Sequence, residues 1–142
     1  MCIILFLFAL FAVVFSREQT VGVRGQLLCG NQPLVHATVK LWELDVWPDP
    51  DDLLQTTYTD NNGYFQVYGS QNELTTIDPV VRIYHTCNNR GIFNIPKFCQ
   101  REVTYEIPPA YITSGNTVQT WYNMGTVNMQ AKQPHEQSHC FG

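Results

Sequence analysis

From Leu54 to Tyr68 the chain reads Leu-Gln-Thr-Thr-Tyr-Thr-Asp-Asn-Asn-Gly-Tyr-Phe-Gln-Val-Tyr. Asn and Gly tolerate the positive φ of tight hairpins, so Asp60-Asn61-Asn62-Gly63 marks a turn between two strands. The flanks are rich in Thr and Tyr, which suit a pleated surface, and Phe65 and Val67 fall on one face. This pattern recurs along the chain. Val21, Val23, Leu27 and Cys29 alternate with Gly22, Arg24, Gln26 and Leu28 before the turn Gly30-Asn31-Gln32-Pro33. Val39 and Leu41 alternate with Thr38, Lys40 and Trp42. Val81, Ile83, His85 and Cys87 form one face, and Val103, Tyr105 and Ile107 another, opposite Glu102, Thr104 and Glu106. Pro108-Pro109 stops that strand, because proline cannot donate to a ladder. Between Trp121 and Met129 the parity breaks, and a bulge at Gly125-Thr126 would bring Tyr122, Met124, Val127 and Met129 to one side. The pattern predicts about seven strands in an all-β sandwich or barrel, with a short helix only near Asp78 or Pro109–Ser114.

The first sixteen residues are of a different kind. Fifteen of them are apolar, from Met1 to Phe15. The run is shorter than the ~20 residues that span a bilayer and has the length of a signal-peptide core. Val14 and Ser16 suit the −3 and −1 positions of signal peptidase, although no Lys or Arg precedes the run. We therefore expect 1–16 to be a signal peptide, and 17–142 a single secreted domain that is not transmembrane. The five cysteines of the whole chain then become four: Cys29, Cys87, Cys99 and Cys140. An even count in a secreted chain predicts two disulfides, for which three pairings exist. Cys87 and Cys99 bracket an eleven-residue loop, so the expected arrangement is Cys87–Cys99 with Cys29–Cys140. The twelve acids against eight bases give a net charge of −4, which excludes a whole-surface basic footprint for nucleic acid.

Several further constellations carry chemistry. His135-Glu136-Gln137-Ser138-His139 spells H-E-x-x-H, which binds zinc when it lies on a helix. Pro134 precedes it, only three residues follow, and Cys140 adjoins it, so no metalloprotease is expected. Five acids crowd Glu43–Asp52, a residue type that calcium uses, without an EF-hand register. Trp47, Asp49, Asp51 and Asp52 make this a candidate binding loop. Arg90, Phe93, Lys97 and Arg101 make the Cys87–Cys99 loop and its exit a second candidate, suited to an anionic headgroup or a receptor. His85 reads as a buried, hydrogen-bonded histidine, and His36 as exposed. No Asn-x-Ser/Thr sequon is present, and no metal or cofactor is expected.

Many of these segments together resemble one family. They are Val21-Gly-Val-Arg-Gly-Gln-Leu-Leu-Cys29-Gly30, Pro33-Leu34, Val39-Lys-Leu41, Pro48-Asp-Pro-Asp-Asp-Leu-Leu54, Thr59-Asp-Asn-Asn-Gly63 and Phe65. Thr76-Ile-Asp-Pro79, Ile83-Tyr-His-Thr-Cys87, Cys99-Gln-Arg101, Ile107-Pro108, Tyr111-Ile112 and Gly125-Thr-Val127 follow. This set resembles the secreted transthyretin-like family of nematodes. The resemblance implies a transthyretin (prealbumin)-like fold, a seven- to eight-stranded Greek-key sandwich of two antiparallel sheets. It also implies an extracellular protein. True transthyretins carry thyroid hormone between subunits, and related enzymes hydrolyse 5-hydroxyisourate with histidines, an arginine and a C-terminal Tyr-Arg-Gly-Ser. This chain ends His139-Cys-Phe-Gly142 and has no histidine in its first strand, so neither activity is carried over. The expected function is a non-enzymatic binding module that recognises an extracellular, cell-surface protein or a lipid headgroup through its loops. The alternatives are a carrier of a small apolar ligand and, more remotely, a secreted hydrolase.

Overall fold

The computed structural model describes residues 16–46, 48–89 and 99–140. The apolar leader up to Phe15, Trp47, and Arg90, Phe93 and Lys97 of the second candidate loop lie outside the described residues. Among the described residues there are ten strands: β1 (Arg17–Cys29), β2 (Gln32–Pro33), β3 (Thr38–Glu43), β4 (Asp52–Tyr58), β5 (Tyr64–Glu73), β6 (Pro79–His85), β7 (Gln100–Glu106), β8 (Thr113–Ser114), β9 (Tyr122–Asn128) and β10 (Glu136–His139). A 3₁₀ turn at Pro109–Tyr111 falls in the second of the two stretches expected to hold a helix.

The strands form two five-stranded sheets. In the first, β1 is central, with β2 and β5 antiparallel to it, a short antiparallel contact to β8, and β9 parallel. The second has the order β10-β7-β6-β3-β4, antiparallel throughout. Neighbours such as β1 and β5, or β3 and β6, are distant in sequence because the chain crosses between the sheets, the Greek-key arrangement.

The alternation read from the sequence is the alternation that fills the core. Val21, Val23 and Leu27 of β1 and Phe65 and Val67 of β5 face Val39, Leu41, Val81, Ile83 and Val103 of the opposite sheet. Each such side chain, fully buried, contributes about 1.5–3 kcal/mol. The turn between β4 and β5 carries the chain from the second sheet to the first, so the two strands do not pair as the hairpin expected from Asp60-Asn61-Asn62-Gly63. It is tied by Asp60, whose Oδ1 accepts the Asn62 and Tyr64 N–H groups at 2.9 Å each. Gly63 closes it with φ +79°, and a Cβ there would lie 2.2 Å from the Leu27 carbonyl oxygen. No other residue fits such a turn without moving β1. Along β9 the register slips by one residue between Arg24↔Asn123 and Gln26↔Thr126, and Gly125 has φ +74°. The bulge therefore sits at Met124-Gly125, within a residue of its expected place. It brings Tyr122, Met124 and Val127 against the core alongside buried Met129.

Two expectations are corrected here. Cys29, Cys87, Cys99 and Cys140 are all in disulfides, but the pairs are Cys29–Cys87 and Cys99–Cys140. The reason is strand placement. Cys87 continues the inward phase of β6 and faces the end of β1, so its bridge crosses between the sheets. Cys99 sits beside Cys140 because β10 lies along β7, with His139 opposite Gln100. The sequence of the tail carries no alternation that marks it as a strand beside β7. The second correction concerns Arg101, expected at a basic loop exit. It is 0% exposed, inside β7 and in phase with Val103.

Candidate functional site

The outer face of the first sheet carries an aromatic and cationic surface. Gly22, Arg24 and Gln26 of β1 point outward, opposite Tyr68, Gln66 and Tyr64 of β5. The Trp121 ring lies directly on Gly22, where a Cβ would come within 2.6 Å of it. Glycine at 22 is thus the seat of the indole. The Arg24 guanidinium stands over the same ring, 5.0 Å from its centroid, and Tyr68 meets it edge-on at 6.1 Å. Such cation–π and edge contacts each contribute about 0.5–1.5 kcal/mol and hold the rings in place. Beside them opens a groove of about 560 Å³ lined by Arg24, Gln26, Tyr58, Tyr64, Gln66 and Asn123, among others. Tyr58, Tyr64 and Tyr68 are each at least half exposed. Asp60 also borders the groove, but its Oδ1 already accepts two N–H groups of the β4–β5 turn. None of these residues had been singled out from sequence. Their signal is legible in retrospect as Gly22, Arg24, Tyr64 and Tyr68 occupying the outward phase of two paired strands.

The acidic loop is placed at a strand corner. Glu43 ends β3, Asp52 opens β4 opposite it, and Glu73 ends β5. One carboxylate oxygen each from Glu43, Asp45, Asp52 and Glu73 lie within 4.8 Å of one another. Of the acids proposed from sequence as binding residues, only Asp52 joins this cluster. Asp51 instead accepts the Asp45 N–H at 3.1 Å, and Asp49 donates its N–H to the Val46 carbonyl at 3.1 Å. Glu43 continues the inward phase of Val39 and Leu41 and is 3% exposed. Its carboxyl is pushed up to about 8, by burial first and then by the contact with Asp45 and the charges of Asp45 and Glu73. Asp52 is raised too, chiefly through its contact with Asp45 and then by desolvation.

The H-E-x-x-H segment is not helical. Glu136–His139 is strand β10, preceded by His135 at φ +56°, so its two histidines do not share a helical face. Its glutamate has a structural task instead. Glu136 receives Arg101 in two hydrogen bonds of 2.8 Å, and both side chains are fully buried. Arg101 also donates to the carbonyls of Cys87, Met129 and Ala131. Burial works to raise the Glu136 carboxyl, but hydrogen bonds from Arg101 and the Gln133 backbone hold it below its ordinary value. His85 is buried as expected, at 2% exposure. Its Nδ1 accepts the Cys87 N–H at 3.1 Å, while Nε2 has no partner among the described residues. Burial first, and the Arg101 charge second, push it down to about 4.

Known proteins are similar to this chain in sequence. The model of the "TTR-52: Transthyretin-like family" matches residues 24–108. Transthyretin-like protein 46 of Caenorhabditis elegans is 45% identical over 80% of this chain, which spans 62% of that relative's length. Transthyretin-like protein 33 of the same organism is 43% identical, covering 86% of this chain and 82% of its own. Transthyretin-like protein 5 is 40% identical over 97% of this chain and 96% of its own.

Proposed function

The chain belongs to the transthyretin-like family, and we propose that it is a secreted, non-enzymatic binding module. It takes an extracellular protein partner on the outer face of its first sheet. The observation that carries this reading is Trp121 seated on Gly22 and braced by Arg24 and Tyr68, next to a groove flanked by half-exposed Tyr58 and Tyr64. Trp, Tyr and Arg are the residue types that dominate binding energy at protein interfaces. Rings already fixed in place lose little conformational freedom when a partner arrives.

Recognition thus rests on a rigid sheet face rather than on loops. A protein is favoured over a lipid headgroup because the described lining of the groove offers one arginine alongside the carboxylate of Asp60 and neutral amides, with no cluster of bases. Carriage of a small apolar ligand stands second, supported by the groove volume, which falls within the range of about 300–1,000 Å³ usual for ligand pockets. That lining mixes amides with tyrosines, which suits an extended peptide better than an apolar molecule.

The test uses fluorescently labelled protein on dissociated nematode cells. Saturable binding that is lost in Arg24→Glu and Tyr64→Ala, and lost when the cells are shaved with protease, supports the reading. Binding that survives both substitutions overturns it. So does protease-resistant binding that phosphatidylserine vesicles reproduce.

A further inference from the structure

The geometry points to a calcium site at the corner where β3 ends, β4 begins and β5 ends, with Glu43, Asp45, Asp52 and Glu73 as ligands. Four carboxylates supply one oxygen each within a span of 4.8 Å. Calcium holds oxygen ligands at about 2.3–2.6 Å, so two ligands on opposite sides of one ion stand about 5 Å apart. The set holds no nitrogen or sulfur, which selects a hard cation over zinc.

A group of acids alone would be unremarkable on a protein surface. Here one member is buried. Glu43 is 3% exposed and its Oε2 has no hydrogen-bond partner among the described residues. A buried carboxylate oxygen without a donor is costly unless something positive meets it. Among the described residues no ion pair reaches any of the four acids. Arg17, opposite Glu73 in the β1–β5 register, makes none with it.

Two of the ligands are also held in advance. Asp52 Oδ2 accepts from Gln71 Nε2 at 2.7 Å, leaving its other oxygen for an ion. The Asp45 backbone is tied to Asp51 at 3.1 Å, which fixes the loop that brings its carboxylate inward. A site built by three strand ends and a short tether loses little entropy on binding. Its affinity is expected in the range of extracellular modules, a Kd on the order of 10⁻⁴–10⁻³ M. Bound calcium would clamp β3, β4 and β5 where the two sheets meet.

The experiment is calorimetric titration and thermal unfolding of the chelator-stripped protein with calcium chloride, with magnesium chloride and sodium chloride as parallel arms at matched ionic strength. The expected result is one saturable calcium site. Its midpoint rise is on the order of 5 °C at ten times the Kd, with a smaller effect of magnesium. Glu43→Gln and Asp45→Asn should each abolish the saturable heat, whereas Asp49→Asn, outside the cluster, should leave it unchanged. The two variants separate loss of the site from loss of the fold, since each must still unfold cooperatively. An equal rise with sodium chloride would show mere charge screening and overturn the proposal. So would the absence of saturable heat at millimolar calcium, or wild-type binding in Glu43→Gln.

Discussion

Arg101 and Glu136 meet in a bidentate ion pair with both side chains fully buried, joining β7 to β10. The guanidinium also closes over the carbonyls of Cys87, Met129 and Ala131, so one side chain gathers the end of β6, the end of β9 and the C-terminal strand. Removing one partner leaves a buried charge without compensation, which typically costs about 3–5 kcal/mol. Arg101→Met and Glu136→Met should each lower urea-unfolding stability strongly. Arg101→Met combined with Glu136→Met should cost less than the two single changes added together. Additive losses in that double-mutant cycle would show that the pair does not act as a unit.

Acid should destabilise the protein through His85. Its pKa falls from about 6.5 unfolded to about 4 folded. Between those values the unfolded chain binds a proton that the folded chain refuses. Stability is therefore complete above pH 6.5 and declines as pH falls toward 4, by roughly 3 kcal/mol at most. Glu136, held below its ordinary value, loses stability in the same direction at lower pH. Stability curves measured at intervals from pH 7 to pH 4 should show the decline, and His85→Phe should flatten its upper part. An unchanged slope in that variant would assign the acid sensitivity elsewhere.

Non-reducing peptide mapping should recover Cys29 joined to Cys87 and Cys99 joined to Cys140. The bridges span 58 and 41 residues, so each should contribute about 2–4 kcal/mol by restricting the unfolded chain. Replacing either pair with alanine should lower the unfolding midpoint while leaving the strand signature in far-ultraviolet circular dichroism. Recovery of a Cys87–Cys99 peptide would contradict the strand placement described above.

Gly22 and Trp121 form a seat and its occupant. Gly22→Val would drive a side chain into the ring and into Val118, whose Cγ1 lies 2.9 Å from the added Cβ. The substitution should cost about 1–3 kcal/mol and shift tryptophan emission toward that of a solvated indole. It should also weaken cell-surface binding more than Arg24→Ala does. The emission shift should vanish when Trp121 is replaced by Phe, which separates this indole from Trp42 and Trp47.

The sequence by itself determined the long core strands and which way their side chains point. Period-two alternation with turn residues leaves little choice, because a slip of one residue would send Val21, Val23 and Leu27 into water. The same parity carries the two buried charges. Arg101 is in phase with Val103, and Glu43 with Leu41, so inward direction was legible for both. What alternation cannot supply is the partner across a long sequence gap. Arg101 finds Glu136 only because the tail adds to β7 as a strand. Glu43 finds Glu73 only because β5 ends at the corner where β3 ends. The disulfides follow the same logic, for the spacing of Cys87 and Cys99 measures chain length and not which strand lies nearest. Local periodicity fixes direction, whereas proximity between distant segments is decided by how the two sheets stack, and the candidate sites lie where those distant segments meet.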